Sequence, residues 1–246
     1  MSVPSRVSKI VIFKSGNRCA FPDCNKKLTI DGTDEGDLDS IVGELAHIEG
    51  DKPNSARYNS SSEDNERNSP CNIIVLCNTH HKVIDDQPEK YTVEVLKDMK
   101  LRHEKWIDKQ TTKELANISF LELGLVTKYL LSTVDSDAVI ELIPPKEKID
   151  KNKLSIEIEN LIKMGLSRVT LVGDYIYNQP NAEFGENLKQ GFIEEYERLI
   201  GEGFTGDTLF NELFDFASRG TSDFKLRAAG LSILVYYFET CDIFEK

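Results

Sequence analysis

No apolar run in this 246-residue chain reaches the roughly 20 residues that a membrane-spanning helix requires. The opening segment MSVPSRVSKIVIF has neither a hydrophobic core of signal-peptide length nor a small-residue cleavage site. The expectation is a cytoplasmic protein with no membrane partner. Internal repeats and low-complexity tracts are absent too. Cysteine is scarce, and the number is odd: five in all, four of them in two close groups. That pattern fits metal ligation better than a secreted disulfide framework. Histidine is scarcer still, with four residues and none after His103. Positive charge is in deficit, with 30 Lys+Arg against 42 Asp+Glu and a net −12, which argues against a protein that coats nucleic acid by bulk electrostatics.

What is present suits a folded protein. Hydrophobic residues at 39% and charged residues at 29% are ordinary globular values, and the length suffices for two domains with separate cores. The acidity is uneven. Residues 1–109 carry 16 Lys+Arg against 19 Asp+Glu, whereas residues 110–246 carry 14 against 23. The first part therefore has room for a local basic surface, and the second would repel DNA.

Val7, Ile10, Val11 and Phe13 recur at helical spacing, so residues 5–15 read as a helix stopped by Ser15-Gly16-Asn17. CAFPDC, residues 19–24, is a tight turn that brings two thiols to one point. IVGELAHI, residues 41–48, reads as a strand, and residues 49–70 as a long, unstructured surface loop. Ile73 to Leu76 is a short buried strand, and the chain turns into helix from Cys77. Residues 92–106 make an amphipathic helix. The polar KQTTKE that follows residue 108 reads as a linker, and helices are expected over 118–131, 153–164, 186–200, 207–217 and 224–239. The last is apolar nearly all round, which implies burial in a core or against a partner.

Structural zinc takes four Cys or His ligands, usually as two close pairs from separated segments. Cys19 and Cys24 form the first pair, and Cys77 and His80, at C-x-x-H spacing, form the second. Two cysteines five apart are by themselves more often unrelated than ligands. The two pairs together point to a Cys3His site for Zn2+. Cys71 and Cys241 are left over and read as small buried hydrophobes.

Zinc leaves His47, Asn72 and His81 unexplained. His47 ends the strand segment ELAHI, Asn72 opens the segment NIIVLCNTHHKVID, and His81 follows Asn72 by nine residues. With RCAFPDC ahead of them, these segments resemble the HNH endonuclease family and its pattern N-l-v-x-L-C-x-x-C-H, over about residues 8–107. His80 stands where that pattern has its second cysteine. The resemblance implies an α+β chain: a zinc-stapled ββα-metal nuclease domain over 1–109, followed by an all-α domain over 110–246. It also implies roles. His47 is the general base, His81 binds a catalytic Mg2+ or Mn2+, and Asn72 fixes the loop between the strands and so orients His47. The expected products carry a 5′-phosphate and a 3′-hydroxyl. Phosphodiester hydrolysis needs an activated water and a Lewis acid, and a histidine titrating near pH 6.5 is a suitable base.

Many members of that family carry an Asp directly before the catalytic His. Here the position is Ala46, and Glu44, on the same side of the strand by alternation, is the candidate substitute ligand. Lys82, Arg57 and Arg67 are candidates for phosphate contact, with solvated surface charge as the plainer alternative. His103 is read onto the exposed side of its helix, in a structural or surface role.

Residues 110–246 hold no histidine and no Gly-rich phosphate loop. KLSIEIENLIKMGLSRVTLVGDYI, GDTLFNELFDF and the terminal LRAAGLSILVYYFETCDIFEK resemble the C-terminal domain of bacterial ABC three-component, Lamassu-like antiphage modules. That resemblance implies docking to an ATPase of the chromosome-maintenance type and an accessory subunit. The leading expectation is a DNA endonuclease, the effector subunit of a bacterial antiphage defence complex. The rival from another class is a non-catalytic zinc-binding interaction module, in which His47 and His81 would be expendable. A redox role for Cys19 and Cys24 fits poorly, because the pair is not C-x-x-C and Cys77 and His80 would have no purpose.

Overall fold

The computed structural model describes residues 3–30, 32, 38–131, 145–181, 183–240 and 243–244. Cys241 lies outside them. The chain divides into two compact units, residues 1–109 and 110–246. Among the described residues there are eleven α-helices and two small antiparallel sheets of two strands each, so the class is α+β with a helical second half.

The first unit opens with α1 (Ser5–Lys14), which buries Ile10, Val11 and Phe13. Gly16 and Asn17 end it in left-handed conformation, φ +58° and +53°. Gly16 has a second reason to lack a side chain, since a Cβ there would lie 2.7 Å from Ile107. Strands β1 (Thr29–Ile30) and β2 (Ser40–Ile41) pair as a minimal sheet. The second sheet is the hairpin of β3 (Gly43–His47) and β4 (Ile73–Cys77), in register from Gly43 opposite Cys77 to His47 opposite Ile73. Every β4 residue is buried. A strand covered on both faces reads as a continuous apolar run, which is why IIVL stood out in the sequence. The helix α3 (Asn78–Asp86) follows β4 without a loop, so the second strand of the hairpin leads directly into a helix.

Residues 49–70 are not the structureless loop expected. They carry α2 (Asp64–Arg67), closed at its start by a Glu63/Glu66 capping box, and pass into a single 3-10 turn over Pro70–Asn72. Polar side chains supply the order that apolar periodicity would have announced. Ser62 and Asn59 donate to the Glu49 carboxylate, and Arg67 donates to the Asn59 carbonyl while stacking over Tyr58.

The helix α4 (Val93–Leu115) runs through the segment expected to be a linker. KQTTKEL contains no helix breaker, and Ile107, Thr111 and Leu115, four apart, are all buried. The buried stripe of the earlier turns is Leu96, Met99, His103 and Ile107. His103 is therefore on the inner face, not the exposed one. Its Nε2 lies 3.0 Å from the Ser15 carbonyl, where α1 ends.

The second unit is built on α5 (Phe120–Leu130), α6 (Pro145–Lys151), α7 (Ile156–Leu166), α8 (Val169–Tyr177), α9 (Phe184–Gly201), α10 (Gly206–Ser218) and α11 (Phe224–Thr240). The helix α11 packs against α5, α7, α8 and α10, which accounts for its nearly all-apolar sequence. Gly230 lets α10 close in, because a Cβ there would meet the Ala217 carbonyl oxygen at 2.7 Å. Lys148 of α6 is fully buried, and its ammonium caps the far end of α11 by donating to the carbonyls of Phe238 and Ile243 at 2.8 and 3.1 Å. Neither α6 nor α8 is among the helices expected from sequence. In VTLVGDYIY the β-branched residues and the glycine weaken helix propensity, and burial of Val172 and Tyr175 overrides it. No helix among the described residues is long and apolar enough to cross a membrane.

Candidate metal centre and active site

Two left-handed residues, Asp23 and Asn25, fold the turn after Cys19 back on itself. Short polar side chains tolerate that conformation best. The Cys19 amide donates to the Lys26 carbonyl and the Ala20 amide to Val75, which seats the turn beside β4. As a result Cys19, Cys24, Cys77 and His80 place their ligand atoms within 4.8 Å of one another, a cluster that could hold a metal such as zinc. His80 presents Nδ1 to the sulfurs, 3.5 Å from Cys19 and 3.2 Å from Cys77. Tetrahedral zinc would set its ligand atoms about 3.5–3.8 Å apart, close to the two separations at His80. Phe21 stacks flat on the His80 ring at 3.9 Å and holds its plane.

The electrostatics fit the same use. Burial pushes the Cys19 thiol up to about 12, against the opposing pull of the Cys77 amide on its sulfur. A thiol so placed ionises only with a cation at hand, as coordination provides. Burial lowers the pKa of His80, which favours the neutral imidazole that a metal requires.

A second cluster lies at the end of the hairpin where the long segment joins β3 to β4. His47 ends β3 and Asn72 directly precedes β4. The Asn72 amide is fully used: its Oδ1 accepts from the Glu49 amide, and its Nδ2 donates to the carbonyls of Glu49 and Arg67, each at 2.9 Å. It thus joins the start of the long segment to its end. The His47 Nε2 lies 3.4 Å from Asn68 Oδ1, and Asn68 Nδ2 donates to the Asp64 carbonyl.

His81, on the first turns of α3, is contacted at both ring nitrogens. The Glu44 carboxylate meets Nδ1, and Asp85 Oδ2 lies 3.3 Å from Nε2. A cleft of ≈ 410 Å³ opens between these elements, lined by His47, His81 and Asp85 and walled by Asp51, Asn54 and Ser55. Strand alternation puts Leu45 and His47 on the cleft face, and Glu44 and Ala46 on the other. Ala46 is completely buried, so no ligand arises there.

The sequence missed Asp85 and Asn68. Asp85 had a signal, since it stands four residues after His81 and shares its helical face. Asn68 had none, because only the fold of the long segment brings it to His47. Cys71, expected to be buried, is exposed. In the 3-10 turn Asn72 faces inward to make its three bonds, and its neighbour faces out. The cations are placed as follows. Lys82 is three-quarters exposed and pairs with Asp86. Arg67 pairs with Asp64 and is largely buried. Arg57 is buried against α3 and Asp85. Neither arginine is the solvated charge of the plainer expectation. No protein-family model matches the chain, and a search of curated proteins finds none of significant similarity.

Proposed function

We propose that residues 1–109 form a metal-dependent HNH endonuclease domain of the ββα-metal type, acting on DNA, with Zn2+ in the Cys19/Cys24/Cys77/His80 site as its structural ion. The observation that carries the reading is the meeting of His47 and His81 at one cleft, from a strand and a helix whose connection Asn72 locks. A zinc module without chemistry has no need of either histidine there.

The donor set suits a hard divalent cation, Mg2+ or Mn2+, held by His81 and Asp85. Such an ion, when bound, stabilises negative charge on the scissile phosphate and on the departing oxygen. His81 would offer Nε2, the nitrogen that shares the cleft with Asp85. Glu44 then holds Nδ1 and fixes the ring, as outer carboxylates do for metal-bound histidines. This reverses the ligand assignment that alternation on β3 suggested for Glu44.

His47 takes the proton from the attacking water. Asn68 decides which nitrogen does so. Its Nδ2 is committed to a carbonyl, which accepts only, so Oδ1 faces His47 and keeps the proton on Nε2. Nδ1 is left as the base. The products would carry a 5′-phosphate and a 3′-hydroxyl.

The test is nicking and linearisation of supercoiled plasmid with Mg2+ or Mn2+ at low salt, wild type beside His47→Ala. The variant should keep its fold and zinc and lose cleavage. Equal cleavage by both would remove His47 from the chemistry. Silence from both across a range of salt and metal concentrations would favour the zinc-binding interaction module instead.

A further inference from the structure

Arg57 stands in the middle of the segment between His47 and Asn72, in left-handed conformation at φ +58°. A long side chain is strained there and stays only where its surroundings hold it. Here the guanidinium does the holding, with its side chain only 5% exposed. Nε donates to the Ile48 carbonyl at 2.8 Å, Nη1 to the Ile84 carbonyl at 2.6 Å, and Nη2 to Asp85 Oδ1 at 2.8 Å.

These three acceptors lie on or directly beside the two elements that carry the histidines of the cleft. Ile48 directly follows His47. Ile84 and Asp85 lie one turn after His81 on α3. The sequence explains why Ile84 accepts a side chain: its partner within the helix would be the amide of residue 88, and Pro88 has none. The helix therefore ends on an orphan carbonyl that Arg57 satisfies. Asp85 divides its carboxylate, one oxygen to Arg57 and the other 3.3 Å from His81 Nε2.

We propose that Arg57 is the positioning residue of the cleft, fixing the His81–Asp85 pair relative to His47 through one planar fork. The proposal rests on the nuclease reading of that cleft. It replaces the phosphate contact expected of Arg57, whose donors face inward. Lysine cannot substitute, because a single ammonium does not span three acceptors in a plane.

The experiment compares full-length, zinc-loaded wild type with Arg57→Lys. Mn2+ uptake is read from the loss of the free-ion paramagnetic resonance signal, which needs no turnover. Plasmid nicking gives kcat and KM separately. Arg57→Lys should bind Mn2+ about tenfold more weakly and lose on the order of 100-fold in kcat, since small misplacement of reacting groups costs that much. KM for plasmid should stay within about threefold. Unchanged kcat and Mn2+ affinity with only a lower melting temperature would make Arg57 purely structural and overturn the proposal. A raised KM at unchanged kcat would overturn it in favour of direct substrate contact. Should Arg57→Lys fail to fold, the same change is made with Pro88→Ala, whose restored amide can serve the Ile84 carbonyl. A wild type that neither nicks DNA nor takes up Mn2+ would sink the nuclease reading, and this inference with it. An active wild type matched by an equally active Arg57→Lys would sink this inference alone.

Discussion

Replacing Cys19 by serine removes a candidate ligand that is completely buried and that also accepts the Cys77 amide at 3.3 Å. Structural zinc in small domains supplies about 10–16 kcal/mol of apparent binding energy. A folded domain holds a net stability of only about 5–15 kcal/mol. Loss of the ion is therefore comparable to the whole margin, and loss of one ligand belongs with the most damaging point changes, above about 4 kcal/mol. At about 4–8 °C per kcal/mol for a domain near 100 residues, melting should fall by at least about 16 °C. Trp106, the single tryptophan, lines a groove with Phe21 and Pro22 of the turn between Cys19 and Cys24, so its fluorescence reports on that turn. The assay is zinc content by atomic spectroscopy alongside Trp106-detected melting, with and without a strong chelator. Wild type should hold one zinc per chain, and chelation should reproduce the Cys19→Ser melt. Cys71→Ser is the control, because its exposed thiol should change stability by no more than about 0.5 kcal/mol. A Cys19→Ser protein with full zinc and unchanged melting would refute the site.

Asn72→Ala leaves one amide and two carbonyls without their partner and should cost about 3 kcal/mol, with a larger loss of nicking than of stability. Chemical denaturation and plasmid cleavage on the same samples check it. Gly230→Ala forces a methyl group against the α10 backbone and should destabilise the second unit by about 1–3 kcal/mol, read by thermal melting with the zinc content unchanged. Burial holds His103 below its ordinary pKa, despite the Ser15 carbonyl that favours its charged form. The unfolded chain therefore binds the extra proton first. The contribution of His103 is complete above about pH 6.5 and is lost as pH falls toward its lowered value. His103→Gln keeps a donor for Ser15 and removes the titration. Its stability should fall less steeply below pH 6.5, by up to about 1.4 kcal/mol per pH unit, and parallel curves for the two proteins would contradict this.

The Cys19, Cys24, Cys77 and His80 cluster could be read from spacing because a turn and a helix start each bring such side chains together over short separations. The β4 strand could be read because burial on both faces leaves an unbroken apolar run. Asn68 and Arg57 could not, since their partners lie 21 and 27 residues away and are chosen by a polar segment with no periodicity. His103 was misplaced because a histidine on an amphipathic helix is assigned outward by its polarity, whereas here one backbone carbonyl makes the inside acceptable. KQTTKE is helical rather than uncompacted for a similar reason, although the two units do divide there. Thr111 counts as polar in the sequence but occupies the buried face of α4, so the stripe goes on through KQTTKE unseen.

His80 and His81 are consecutive on α3, one facing the cysteines and the other the cleft. Adjacent residues on a helix differ by about 100° in direction, so both tasks depend on where the helix begins relative to β4. A single residue gained or lost between Asn72 and His81 would turn both rings away from their targets and move the β4 side chains to opposite faces. In descendants of this sequence, insertions and deletions should therefore spare residues 72–81 and gather in the stretches before β3 and after α3. A comparison of lengths across related genomes would test this without any protein being made.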